Sequence, residues 1–153
     1  MALPKIETPK FPVTVPSTGE NIEFRPYVVK EEKILMMAME TNDQAAMIRS
    51  LKDVIEACTF NKIKADTLAP FDLEYLFMKI RAKAAGEKSK IGLKCNECDH
   101  SNEIELDVSN IEVQGEIKKN EKVMLDDKLG LILRYPSVRG LQRNLDKLNK
   151  NKK

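Results

Sequence analysis

The sequence predicts an α+β fold: an N-terminal β-hairpin, a three-helix core, and C-terminal β-hairpins, one of them closed by a zinc-ribbon-like knuckle. Three observations predict it. Apolar residues alternate with a period of two before residue 29, recur at three-and-four spacing between about 30 and 86, and return to period two after Gly86. At 153 residues with 42% hydrophobic content, the chain can fill one interior without disulfides. The expected organisation is one domain over residues 1–138, led by an extended arm, and a basic tail over 139–153.

The arm is read from prolines at 4, 9, 12 and 16, each removing an amide donor and favouring extended geometry in the residue before it. Val13-Thr14-Val15, a turn cluster Ser17 to Asn21, and Ile22-Glu23-Phe24-Arg25 then predict the first hairpin. After Glu31-Glu32-Lys33, the run Ile34 to Met39 predicts a short, largely buried helix. A second helix is expected from about Asp43 to Thr59, with Met47, Ile48, Leu51, Val54, Ile55 and Cys58 on one stripe and Thr41 with Gln44 as its capping box. Pro70, Asp72 and Glu74 open a third, Leu73, Leu76, Phe77 and Ile80 mark its apolar face, and Gly86 stops it. Next comes a hairpin carrying Ile91, Leu93 and Cys95 on one strand and Ile104, Leu106 and Val108 on the other, with Asn96 to His100 at its tip. Lys122 to Asp126 and Leu129 to Tyr135 predict two more strands joined through Asp126-Asp127-Lys128. Val138 to Leu148 predicts a weak helix that runs into lysines.

Composition removes several function classes. Lys and Arg number 26 against 24 Asp and Glu, so no large field of one sign exists to favour nucleic acid. No stretch approaches the ~20 apolar residues of a bilayer span, and Met1 to Lys10 lacks the apolar run of a signal peptide, so the expected location is the cytosol. Three cysteines, an odd number, argue against a disulfide framework. His100 is the sole histidine, which leaves hydrolytic triads without a base, and no phosphate-binding glycine motif occurs. We expect no enzyme and no catalytic residue.

Cys95-Asn96-Glu97-Cys98 is the sharpest local motif. Two thiols at this spacing on a hairpin tip can face one tetrahedral ion, and they supply half a structural zinc site. His100, a carboxylate, the distant Cys58, water or a second copy of the chain would have to complete it; the other reading is a hairpin turn that keeps its thiols without metal. Cys58 reads as a buried small hydrophobe. Met36, Met37, Met39 and Met47 suit either a core or an adaptable partner surface, and core is the better fit because no second apolar face is left to build the interior. Beyond residue 138, Arg139, Arg143, Lys147, Lys150, Lys152 and Lys153 face a single acid, Asp146.

Phe11 to Gly19, Phe24 to Leu35, and Phe71 to Phe77 with Arg81-Ala82-Lys83 resemble, in order, the baseplate hub subunit family of T4-like bacteriophage tails. The resemblance covers roughly residues 9 to 136, and Cys95 and Cys98 match the family's C-x-x-C knuckle. It implies a protein made in the host-cell cytoplasm while the tail is assembled, either a component of the virion baseplate or an assembly factor. It also implies other hub proteins, or the chain itself, as partners, and transfers no catalytic residue. Asp99-His100 stands where such knuckles often have glycine, so zinc does not follow from the resemblance. With strand addition as the docking mode, Pro12, Pro16, Phe24 and Pro26 are the candidate partner-binding residues, and Cys95, Cys98 and His100 the candidate metal ligands. The rival reading is a zinc-ribbon-type nucleic-acid adaptor using the knuckle and the Lys/Arg tail, whose affinity would fall steeply with salt.

Overall fold

The structure, a computed structural model, describes residues 8–41, 43–115, 117, 121–126 and 129–150, with only the backbone described over 145–150. The expectations that rest on Pro4, Asp127, Lys128, Lys152 and Lys153, and on the side chains of Asp146, Lys147 and Lys150, lie outside the described residues.

Strands β1 (Phe11–Thr14) and β2 (Asn21–Phe24) pair antiparallel, with Val13 opposite Ile22 and Phe11 opposite Phe24. Gly19 closes the turn at φ +70°, a conformation that costs glycine little, and its amide donates to the Val15 carbonyl at 2.8 Å. Alternation sends Val13, Val15, Ile22 and Phe24 inward and leaves Pro12 and Thr14 outside.

Helix α1 (Val29–Glu40) leads into α2 (Gln44–Cys58), a single 3₁₀ turn (Ala65–Thr67) and α3 (Pro70–Ala85). The predicted capping box of α2 is replaced by a division of labour. Asp43 is the N-cap, its Oδ1 accepting from the Ala45 amide at 2.9 Å, while Thr41 closes α1 by donating to the Ala38 carbonyl at 2.7 Å. Pro70 starts α3 where its missing amide costs nothing. Asp72, wholly buried, ties this start to the first hairpin: one carboxylate oxygen accepts from the Ala69 amide at 3.2 Å, the other from the Ser17 amide at 2.8 Å. A second tether joins β2 to the end of α2, where the Arg25 amide donates to the Cys58 carbonyl at 2.9 Å.

The interior is Val13, Val15, Ile22 and Phe24 of the hairpin, Val54, Ile55 and Cys58 of α2, and Leu73, Leu76 and Ile80 of α3. It is completed by Ile63, Ala65 and Leu68 from the α2–α3 connection and by Val138. Helix α1 therefore departs from expectation. Only Glu31 and Ala38 are buried on it, and Met36, Met37 and Met39 are 57–61% exposed, as is much of Met47 on α2. The physical reason is that the α2–α3 connection fills volume that the sequence reading assigned to the methionines.

Three hairpin sheets are present among the described residues. β3 (Lys88–Lys94) pairs with β4 (Ser101–Asp107), Ile91 lying opposite Ile104, and β5 (Glu121–Met124) pairs with β6 (Gly130–Leu133). The β3–β4 base is fixed to α3: Lys79 donates to the Ser109 carbonyl at 2.7 Å, Arg81 to the Ser89 hydroxyl at 3.3 Å, and Val108 is buried. Past β6, Tyr135 meets Phe71 of α3 edge-on at 4.9 Å. Helix α4 (Val138–Lys150) docks by its first turns, with the Val138 amide on the Leu68 carbonyl at 2.9 Å and Gln142 accepting from Lys52 at 3.2 Å.

Candidate functional site

The knuckle extends the β3–β4 ladder by one step. After the Lys94–Ser101 pair, the Cys95 amide donates to the His100 carbonyl at 2.8 Å, and the Asp99 amide returns to the Cys95 carbonyl at 3.1 Å. This reversal puts Asp99 at φ +56°, the left-handed position glycine usually holds, and aspartate is among the few other residues that tolerate it. The substitution noted in the sequence is thus absorbed by the turn. The Cys95 sulfur accepts from the amides of Glu97 and Cys98 and from the Cys98 thiol, which together hold its pKa below the ordinary thiol value. Amides turned onto a sulfur in this way favour a thiolate, the form that ligates metal.

As donors, the two thiols fit one half of a tetrahedral zinc site. His100 lies across the ladder from Cys95, and among the described residues no three His, Cys, Asp or Glu side chains are grouped to hold a metal. Cys58 is deep in the core, where burial pushes its thiol up to about 11, and its side chain serves packing.

The candidate partner-binding residues separate. Pro12 and Phe24 line a groove of about 530 Å³ between the first hairpin and α3, bounded also by Tyr75 and Lys79. Phe24 is nevertheless 3% exposed, and its ring packs on Phe11 at 5.7 Å, so it belongs to the interior rather than to a docking face. Alternation had put it opposite Pro12 in character, and burial follows that alternation. Pro16 and Pro26 are half-buried where the hairpin joins the helical layer.

Next to Pro26, Arg25 and Glu31 form an ion pair at 2.8 Å, and the second Glu31 oxygen accepts from the Val28 amide at 2.9 Å. Burial pushes the Glu31 carboxyl up, but the guanidinium and the amide outweigh it, and its pKa lies below the usual carboxylate value. The pair fixes the hairpin-to-helix turn.

Three apolar surfaces are exposed, of which the sequence reading weighed only the methionines and gave them to the core. Leu35, Met36, Met39, Met47, Leu51 and Phe77 line a groove of about 420 Å³, with Glu32 and Arg81 beside them. On β3–β4, the register puts Ile91, Leu93, Ile104 and Leu106 on one face, and each is exposed. On β5–β6, Val123, Leu131 and Leu133 share a face, while Ile132, 65% exposed, points the other way. The available signal was the run Leu131-Ile132-Leu133, apolar on both faces of a strand, which reads as a strand covered on both sides. No helix among the described residues is long and apolar enough to cross a membrane.

Comparison with curated proteins and with solved structures gives no match. Residues 8–153, nearly the whole length, match the family model described as T4 bacteriophage base plate protein, and the chain therefore belongs to that baseplate family.

Proposed function

We propose that the chain is a non-catalytic structural or assembly protein of the phage tail baseplate hub, which docks on other hub proteins through apolar faces it leaves uncovered. Membership of a baseplate family implies association with the tail baseplate and contact with other phage structural proteins; the hub and the assembly role are the further step. The observation that carries it is the pair of C-terminal hairpins whose apolar faces are turned outward, Ile91, Leu93, Ile104 and Leu106 on one and Leu131 and Leu133 on the other. Isolated two-stranded hairpins are marginal in water, and contiguous exposed apolar surface marks protein contacts. The methionine-lined groove adds a surface able to repack around a partner. Support for a non-catalytic role comes from the lone histidine, which sits exposed at the knuckle, away from both grooves.

The test is affinity capture of the tagged protein from infected cells, with mass spectrometry of co-purifying proteins and of purified particles. Co-purification with other hub proteins is the expected result, and presence in the particle distinguishes a component from a factor acting in the cytoplasm. Recovery with nucleic acid or transcription proteins, and no tail protein, would favour the adaptor reading instead.

A further inference from the structure

We infer that the outer edge of β3 takes up a strand of another baseplate protein, one that alternates carboxylate and apolar side chains, as the third strand of the β3–β4 sheet. The inference rests on the docking role above and names the edge used and the chemistry of the strand it receives. Two bonds fix which backbone groups are open. The Val108 amide donates to the Glu87 carbonyl at 2.7 Å at one end of the ladder, and the Cys95 amide to the His100 carbonyl at 2.8 Å at the other. Glu87 and Cys95 thus both bond inward, and inward and outward residues alternate along an antiparallel strand. Ser89, Ile91 and Leu93 therefore bond to β4, while the N–H and C=O groups of Lys88, Lys90, Gly92 and Lys94 face away from it. Among the described residues no strand pairs with that edge.

The side chains of the same residues select the occupant. β3 carries Lys88, Lys90 and Lys94 and no acid, whereas β4 carries Glu103, Glu105 and Asp107 and no base. These charges are only partly neutralised within the hairpin. Lys88 holds Glu105 at 2.7 Å, and Asp107 accepts from Ser109 and Asn110. Lys94 stands 4.0 Å from Asp99, both largely exposed, and among the described residues Lys90 has no ion pair. On β4 only Glu103 is left in that condition, so β3 is the less satisfied edge. Lys90 and Lys94 lie about 13 Å apart along one face, with exposed Ile91 and Leu93 between them in the chain and on the opposite face. The matching strand has two carboxylates four residues apart and an apolar residue just inside each, so that it meets both ammonium groups and widens the apolar face. The pattern is symmetrical and suits either strand direction. β4 has it, as Glu103-Ile104-Glu105-Leu106-Asp107, and is the strand that β3 already accepts on its inner edge. A lysine edge repels a second lysine edge, which disfavours pairing of two β3 strands from two copies. A third strand is also what an isolated hairpin needs to be stable.

The experiment titrates the isotope-labelled full chain, at low salt, with the synthetic peptide Thr-Glu-Val-Thr-Val-Glu-Thr and with its counterpart carrying lysine for glutamate, and follows amide shifts and hydrogen exchange. The glutamate peptide should bind and the lysine peptide should not, with exchange slowed at the amides of Lys90, Gly92 and Lys94. Lys90→Gln/Lys94→Gln should weaken binding about fivefold, while its circular dichroism and unfolding midpoint match the parent. Absence of binding, equal binding of the two peptides, protection confined to β4 or to the methionine groove, or an affinity that the double variant leaves unchanged would each overturn the inference. Affinity capture separates it from the reading it rests on. A double variant that recovers hub proteins as well as the parent does overturns the inference and leaves the docking role standing, whereas a parent that recovers no tail protein overturns both.

Discussion

The hairpins β1–β2 and β3–β4 are built alike and placed differently. Both are two-stranded, antiparallel and apolar on one face, yet Val13, Ile22 and Phe24 are in the core while Ile91, Leu93, Ile104 and Leu106 face outward. The first is tethered at its turn by Asp72 and at its end by the Cys58 carbonyl; among the described residues the second is fixed near its base, through Ser89, Val108 and Ser109. An alternating strand thus states which face is apolar and leaves open what covers it. In this protein one hairpin is covered by its own chain, and the apolar face of the other stays exposed among the described residues.

The comparison can be broken most directly in the core. Leu76 of α3 is fully buried, and Leu76→Ala should cost about 3 kcal/mol, read as a lowered urea midpoint in the isolated chain. A loss below about 1 kcal/mol would mean that the hairpin–helix body is not the stabilising unit. A smaller effect tests the joint between hairpin and α1. Glu31→Gln removes the charge facing Arg25 and should cost about 1–2 kcal/mol at neutral pH. Since the folded pKa of Glu31 is depressed, its contribution is present above the unfolded value near 4.5 and fades as pH falls through the lower folded value. Parent and variant midpoints should therefore converge in acid, and a constant gap from neutral pH to strong acid would refute the assignment. Smallest of all should be Leu93→Ser or Ile104→Ser, within about 0.5 kcal/mol in the isolated chain, together with weaker recovery of hub proteins in affinity capture. A large loss of intrinsic stability would show that β3–β4 is covered by its own chain after all.

Much of the fold was legible because its signals are local. Pro70 and Gly86 bracket α3, the Ile48-to-Cys58 stripe gives α2, and alternation gives the hairpins, each from spacing and backbone preference alone. The errors arose where a choice among competing groups decided the outcome. Asp43 and Thr41 could each have capped α2, and their relative placement settled the matter; the methionines of α1 lost the interior to Ile63, Ala65 and Leu68, which carry no periodicity to announce them. At the knuckle, spacing marked the thiol pair and the missing glycine, and Asp99 takes the left-handed conformation that glycine usually supplies there. Phe24 failed as a docking residue for the reason Ile22 succeeded as a core one: both share the inward parity of β2.

The Asp72 clamp also bears on the order of events as the chain leaves the ribosome. Residues 11–24 emerge early, but the carboxylate that holds their turn and the α2 and α3 side chains that cover their apolar face are synthesised later. A lone hairpin gains little from closing, so residues 11–24 must wait, loosely ordered, until α3 has been completed. The first hairpin is thus among the last parts of this body to lock, and an interruption of translation before α3 would release a fragment with its β-strands uncovered and prone to pair wrongly.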